Sequence, residues 1–521
     1  MIKFLQVGIR GGTEMVTAIK QMEQEFLDYV KKMGAYKEAL GLIYWDLRTG
    51  APKKGMEQRS EVIGLLSSEV FKMSTSEEMA AYIANLTNVE HDHDLSEITK
   101  RTVTECKKEY DRNKKIPAEE YKEFVILQSK SESVWEESKD ASDFSMFQPY
   151  LEKIVEMTKK FITYWGYTEN KYNTLLDMYE PGMTVDILDQ VFSELREKIV
   201  PLVQQIKESE NTPNTQFLYN HFPKEKQREF SLKILKKVGY DFDSGRLDET
   251  VHPFATGLNP GDVRVTTKYD ENDFRTAIFG TIHEAGHALY EQNISPALIG
   301  TPLCTGTSMG IHESQSLFYE NFIGRNLSFW KGNFDLLKEY APAQFQDISI
   351  EQFYRAINES KPSLIRIEAD ELTYALHIMI RYEIEKGIFN DEIEVKDLPK
   401  VWNEKYEQYL GITPDNDANG VLQDVHWSDG SFGYFPSYAL GYIYAAQLNH
   451  ALISDIPHYN QLLEEGNLLP IKEWLTNNIH QHGKMKLPLE LIKDITGEGL
   501  NASYLIDYLY SKYERIYDIK K

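Results

Sequence analysis

Apolar residues recur at helical spacing through most of the chain. The stretches EFLDYVKKMGAYKEALGLIYW (25–45), FQPYLEKIVEMTKKFITYWGY (147–167) and LDQVFSELREKIVPLVQQIK (188–207) each repeat apolar positions every three or four residues, the mark of a helix burying one face. Pro and Gly punctuate them in EPGMT, NTPNTQ and NHFPKEK. No Ser/Gly-rich linker, low-complexity tract or internal repeat interrupts the series. The pattern predicts an all-α, mainly helical protein forming one large domain over residues 15–521. One region departs from it. VHPFATGL and VRVTTKY are β-rich runs separated by the turn signal NPGD, and predict a small hairpin from Val251 to Tyr269. YDENDF then offers Asp270, Asn272 or Asp273 as the N-cap of the next helix. A strand edge there would let an extended peptide pair through its backbone, whatever its side chains.

Composition narrows the partners. The 521 residues carry 57 basic and 81 acidic side chains, a formal net charge of −24, which disfavours nucleic acid and anionic membranes as partners. No apolar run reaches 18 residues, so no transmembrane helix is expected. Two cysteines, Cys106 and Cys304, do not make a disulfide framework, and a reducing, cytoplasmic location is the expectation. The opening MIKFLQVGIRGGTEM lacks a secretory apolar core. Its Gly11-Gly12 pair would break a helix and Met15 opens the first helical stretch, so residues 1–14 are expected to be a non-native or disordered extension outside the fold. The 32 Tyr, 24 Phe and 7 Trp fall mostly at helical spacing, which core packing explains better than a binding surface does.

The chemistry concentrates in TIHEAGHALYEQ (281–292). On a helix, His283 and His287 at i and i+4 share a face, with Cβ atoms about 5–6 Å apart, so both imidazoles can reach one ion at about 2.0–2.1 Å. Glu284 lies at the edge of that face, where it can take a proton from a water the ion activates. The bland alternative is an ordinary helix with two surface histidines. A third ligand cannot come from Glu291 on the same helix, since i, i+4 and i+8 span about 12 Å along the axis. Glu313 in MGIHESQSLFYEN, 26 residues after His287, is the best candidate. Gly310 marks a break, Ile311, Phe318 and Phe322 keep helical spacing, and the Gly/Pro-rich ISPALIGTPLCTGTSMG between can fold back. Taken alone, Glu313 would be a solvated helix charge.

HEAGH followed by HESQS, together with HPFATG, DVRVT, IRIEAD, GVLQDVHW and GYFPSYALG, resembles the thermostable-carboxypeptidase (carboxypeptidase Taq, M32) family of zinc metallocarboxypeptidases. YWDLRTGAPKKG and GYDFDSGRLDETVHPF are also similar to that family. The likeness runs from about Met15 to the C-terminus. It implies a helical, two-lobed fold around a deep groove, similar to neurolysin and angiotensin-converting enzyme, and a homodimer. It implies Zn2+, with Co2+ as an alternative metal, and release of single residues from peptide C-termini with broad specificity. On this chain the family's metal pattern falls on His283, His287 and Glu313, and its general base/acid on Glu284. Leu317 stands where many relatives carry arginine, which puts in doubt a charge role there but not the metal site.

Amide hydrolysis also needs stabilisation of a tetrahedral oxyanion. His426 and Tyr434, eight residues apart in a loop-like stretch, are suitable donors, and the resemblance supports both; a satisfied core histidine and a buried structural tyrosine are the competing readings. An exopeptidase must recognise a free carboxylate, which suits the paired donors of arginine. Arg366, Arg264 and His252 are the substrate-binding candidates. Glu368 or Asp370 would pair with Arg366, and Asp262 with Arg264, if those arginines were structural. Two rivals remain: an oligopeptidase or dipeptidase of the same HExxH class, and a non-catalytic helical scaffold with a structural metal or none.

Overall fold

The computed structural model describes residues 12–88 and 94–519. Most of the extension expected over residues 1–14 lies outside the described residues. Gly12–Glu14 already belong to the first helix, Gly12–Thr49, which starts three residues ahead of Met15. The other two long amphipathic stretches form helices Phe144–Trp165 and Val185–Glu208. The second shows why. Thr184 caps it by accepting the Ile187 N–H at 3.4 Å, and Leu188, Val191, Phe192, Leu195, Ile199 and Leu202 are all buried along one stripe. The chain is mainly helical, as the pattern predicts, with a small three-stranded sheet. Its apolar side chains gather in two unequal cores. The smaller is built from Phe26, Val30, Met79, Val103 and their neighbours in the N-terminal helices; the larger runs from Phe144 to Tyr517.

The hairpin forms between β2 (Ala255–Asn259) and β3 (Asp262–Thr267), following β1 (Leu247–Glu249). Asn259 closes its turn by accepting the Gly261 N–H at 2.9 Å. β3 is central: β2 pairs with it antiparallel, Ala255 opposite Val265, and β1 pairs parallel, Leu247 opposite Val265. Val263 and Val265 are fully buried, and Thr281 hydrogen-bonds Thr267 at 3.0 Å, tying the sheet to the following helix, Arg275–Gln292. None of the three expected residues is the N-cap. Phe274 occupies that position without a side-chain bond, while Asp273 accepts the Arg275 N–H at 3.2 Å.

The Arg275–Gln292 helix, which carries HEAGH, is buried on almost every side: Ile278, Phe279, Ile282, Ala285, Leu289 and Tyr290 are all inside. That excludes the ordinary surface helix. The second helix expected downstream is Met309–Leu317. Gly310 lies inside it; the break falls one residue before the helix, at Ser308, whose hydroxyl accepts the Ile311 N–H at 3.0 Å. Buried Glu180 accepts from the Gly310 N–H (2.9 Å), the Ser308 hydroxyl (3.0 Å) and the Tyr444 hydroxyl (2.8 Å), anchoring that N-terminus. Two glycines let this helix be squeezed from both sides. A Cβ on Gly286 would lie 2.3 Å from the Gln315 carbonyl oxygen, and one on Gly441, in helix Pro436–Asp455, would lie 2.7 Å from the Glu313 Cβ and Cγ.

A single added methyl tests this packing. Gly286→Ala is expected to lose about 1–3 kcal/mol of stability, the usual cost of overpacking, in urea unfolding of the metal-free protein. Unchanged stability would show that the two helices do not depend on that approach.

Candidate metal centre

His283 and His287 project from the HEAGH helix, with ring centroids 5.1 Å apart and planes at 79°. Glu313 faces them from the HESQS helix: its Oε2 lies 3.4 Å from His287 Nε2 and 3.9 Å from His283 Nε2. The three ligand atoms all fall within 4.8 Å of one another. Ligands of an ion bound tetrahedrally at about 2.0–2.1 Å would lie about 3.3 Å apart, so a small inward adjustment seats one. Two imidazole nitrogens and a carboxylate are the donor set a divalent transition metal takes, with one position left for water. Among the described residues this is the one cluster of three such groups close enough to share an ion.

The far side of each ring is already committed. His283 Nδ1 bonds Glu320 Oε2 at 2.9 Å, and Arg325 Nη2 donates to Glu320 Oε1 at 3.1 Å. His287 Nδ1 bonds His312 Nδ1 at 2.7 Å, and His312 Nε2 bonds Glu291 Oε1 at 2.8 Å. A consistent proton assignment runs outward along both arms. Each ligand donates from Nδ1, His312 accepts on Nδ1 and donates from Nε2, and both arms end on a carboxylate. In the neutral form that would hold an ion, both rings thereby direct their Nε2 lone pairs toward Glu313, the arrangement that orients metal-binding histidines elsewhere. Glu320 stands on the π-helical segment Phe318–Gly324 that continues the HESQS helix, so one continuous helical rod serves both nitrogens of His283.

Without a cation the site is rich in negative charge. Burial disfavours charge on His283, but Glu313, Glu320 and Glu284 override it and raise its pKa to about 10. At His287 burial prevails and the value falls to about 4. Burial would raise Glu320 too, yet its bonds to His283 and Arg325 hold it at about 2. Glu284 is 8% exposed. Burial, with Glu313 and Glu320 nearby, pushes its pKa up to about 7 against the pull of His283. No described residue hydrogen-bonds its carboxylate, which leaves it free to handle a proton.

The loop candidates come together. His426 and Tyr434 have ring centroids 5.5 Å apart, and His426 Nε2 lies 3.3 Å from the Tyr438 hydroxyl. His426 Nδ1 is buried without a partner, and burial lowers the ring's pKa to about 4, keeping it neutral. Tyr434 is near enough to Glu313 for that charge to add to the burial that raises its pKa. Arg366 is buried, but neither Glu368 nor Asp370 is its partner. Its Nε donates to Asp424 Oδ1 at 2.9 Å, while Asp370 is taken up by Ser360, Thr373 and the Lys361 N–H. Fully buried Arg381 holds the other oxygen of Asp424 at 2.7 Å, so two guanidinium groups share one carboxylate. Arg264 forms a paired bridge to Asp262, both bonds at 2.7 Å, beside Trp45. His252 is exposed in the turn before β2 and hydrogen-bonds none of these residues. Sequence reasoning missed Glu320, Arg325, His312, Arg381 and Asp424. Glu320 alone left a local signal, a carboxylate seven residues after Glu313 on the same helical face.

Comparison with known proteins places nearly the whole chain beside metallocarboxypeptidases. The sequence profile of the carboxypeptidase Taq (M32) metallopeptidase family matches residues 25–513. The chain is 62% identical to carboxypeptidase 1 of Bacillus subtilis (strain 168), covering 96% of this chain and 99% of that protein. It is 39% identical to thermostable carboxypeptidase 1 of Thermus thermophilus, covering 95% and 98%. The crystal structure of the M32 carboxypeptidase of Deinococcus radiodurans R1 superposes with a TM-score of 0.92 at 34% identity, over 96% of this chain and 100% of that one.

The outer bond on His283 has a measurable consequence. Glu320→Gln, which keeps the shape but removes the charge, is expected to weaken metal binding about 10- to 100-fold in a chelator competition. An unchanged affinity would mean that Glu320 does not orient the ligand.

Proposed function

The chain belongs to the carboxypeptidase Taq (M32) family of metallopeptidases, and from that premise we propose how its own residues divide the work of a metal-dependent carboxypeptidase. The enzyme is a peptide hydrolase that uses a divalent metal. His283, His287 and Glu313 are the proposed ligands. The observation that carries the reading is that both imidazoles have their Nδ1 engaged while Nε2 of each faces Glu313 within 3.9 Å. Zinc fits a His₂Glu set with one open position; cobalt is the proposed alternative. When bound, the ion would supply Lewis-acid polarisation of the scissile carbonyl and a lowered pKa for the attacking water.

The remaining steps belong to side chains. Glu284, buried and without a hydrogen-bond partner among the described residues, takes the proton of the attacking water and returns it to the leaving amine. The Tyr434 hydroxyl and the His426 imidazole donate to the oxyanion as it develops, in a setting with little water to compete. Arg366 is the proposed anchor for the substrate's terminal carboxylate. It shares Asp424 with Arg381, so that aspartate alone does not neutralise both guanidinium groups, and a substrate carboxylate would meet a positive setting even though buried Glu385 also acts on Arg381. Arg264 and His252 are proposed as weaker contacts on the sheet side, where the edge strand β2 can pair with the peptide backbone. Single residues are released with broad specificity, because nothing in this set reads a side chain. The proposed form is a homodimer in the cytoplasm. Among the described residues no helix is long and apolar enough to cross a membrane, and both cysteines are free.

Two measurements test the roles. Glu284→Gln should keep its metal and lose at least about 10²-fold in kcat, in line with the usual contribution of acid–base catalysis; a variant that turns over normally removes Glu284 as base. A defined peptide with a free C-terminus should lose one residue at a time, while its C-terminal amide is spared. Equal cleavage of both, or internal products, would overturn the exopeptidase reading in favour of an oligopeptidase.

A further inference from the structure

We propose that Glu385 is a positioning residue for hydrolysis, fixing the loop that carries His426 and Tyr434; this rests on the reading of those two side chains as oxyanion donors. Glu385 is fully buried on helix Tyr374–Phe389. Its Oε1 accepts from Trp427 Nε1 at 2.8 Å, and its Oε2 accepts from the Gly433 N–H at 2.8 Å and the Tyr172 hydroxyl at 2.5 Å. Trp427 directly follows His426, and Gly433 directly precedes Tyr434. One carboxylate therefore holds the chain immediately beside each proposed donor.

The same helix grips the loop a third time. Arg381, one turn before Glu385 and on the same face, holds Asp424, two residues ahead of His426. Inside the loop the Ser431 N–H closes back on the His426 carbonyl at 2.9 Å. Gly433 sits at φ +91°, and a Cβ there would lie 2.7 Å from the Leu175 backbone, so the strand of loop entering Tyr434 has a tight seat. A buried carboxylate hydrogen-bonded by neutral donors is costly, and burial pushes the Glu385 pKa up to about 7 against those bonds and the nearby Arg381 guanidinium. Filling the space with an apolar side chain would be cheaper. What the carboxylate supplies is two acceptor oxygens aimed at two parts of one loop, which neither Gln nor Leu can offer.

The test is a mutant cycle on kcat. Glu385→Gln replaces one acceptor with an NH₂ facing a donor. It should lower kcat about 10-fold or more, less than the about 10²–10³ lost when an oxyanion donor is deleted, with KM and metal content unchanged. In Tyr434→Phe and His426→Ala backgrounds the loss from Glu385→Gln should shrink, because the donor it positions is already gone. An unchanged kcat, or the same fold-loss in every background, overturns the inference; a merely structural role would give the latter. If Tyr434→Phe and His426→Ala alone leave kcat intact, the donor reading falls and takes this inference with it, an outcome distinct from the first two. Should Glu385→Gln fail to fold, Trp427→Phe removes only one donor to the same carboxylate, and the same cycle is read with it.

Discussion

The site depends on how closely two helices can approach. The HESQS helix lies so near the HEAGH helix that only hydrogen fits at Gly286, and so near helix Pro436–Asp455 that only hydrogen fits at Gly441. Gly286 sits between the two histidines in sequence, and Gly441 faces Glu313 itself. Gly286 inside HEAGH and Gly441 on the helix behind Glu313 thus shape the proposed metal site: they set the separation at which one carboxylate faces two imidazoles. Glu180 fixes the HESQS helix lengthwise by accepting two bonds at its N-terminus, from Ser308 and Gly310, and a third from Tyr444 on the helix Pro436–Asp455.

Around that contact the charges fall into two opposed groups. Glu313 and Glu320, with Glu284 beside them, lie around the His283 imidazole, a concentration of carboxylates that favours a cation. Arg366 and Arg381 share Asp424, with Tyr374 and Tyr438 beside Arg366 and Glu385 near Arg381, a group in which cations are prominent. A peptide's scissile carbonyl and its terminal carboxylate are a short distance apart, and these two fields suit them in turn. The acidic net charge of the whole chain says nothing of this, because the local arrangement decides what the site attracts.

Much of the helical framework was legible because it is periodic. HEAGH, Glu313 and the amphipathic helices follow from spacings of three, four and seven residues, which translate directly into shared faces. Other elements lacked a local signal. β1 is three residues long, polar, and paired in parallel across a long connection, so no turn or alternation announces it. For a structural Arg366 the sequence points to Glu368 or Asp370 as partner, within four residues, but Asp424 lies 58 residues away. Glu291, set aside as a ligand, links to His287 through His312 on another helix. Periodicity reports which face a residue occupies and is silent on which distant segment meets it. The loop from Asp424 to Phe435 is the extreme case: its residues have no period, and their placement comes from Arg381 and Glu385 on a helix far back in the chain.

The central claim is that two imidazoles and one carboxylate hold a single divalent ion and leave room for water. X-ray absorption on protein loaded with one equivalent of zinc tests it most directly. The account predicts two histidine nitrogens, the Glu313 carboxylate and one water oxygen at about 2.0–2.2 Å, with the carboxylate contribution lost in Glu313→Ala. A fourth protein ligand in place of water, or a spectrum unaltered by that substitution, would contradict it.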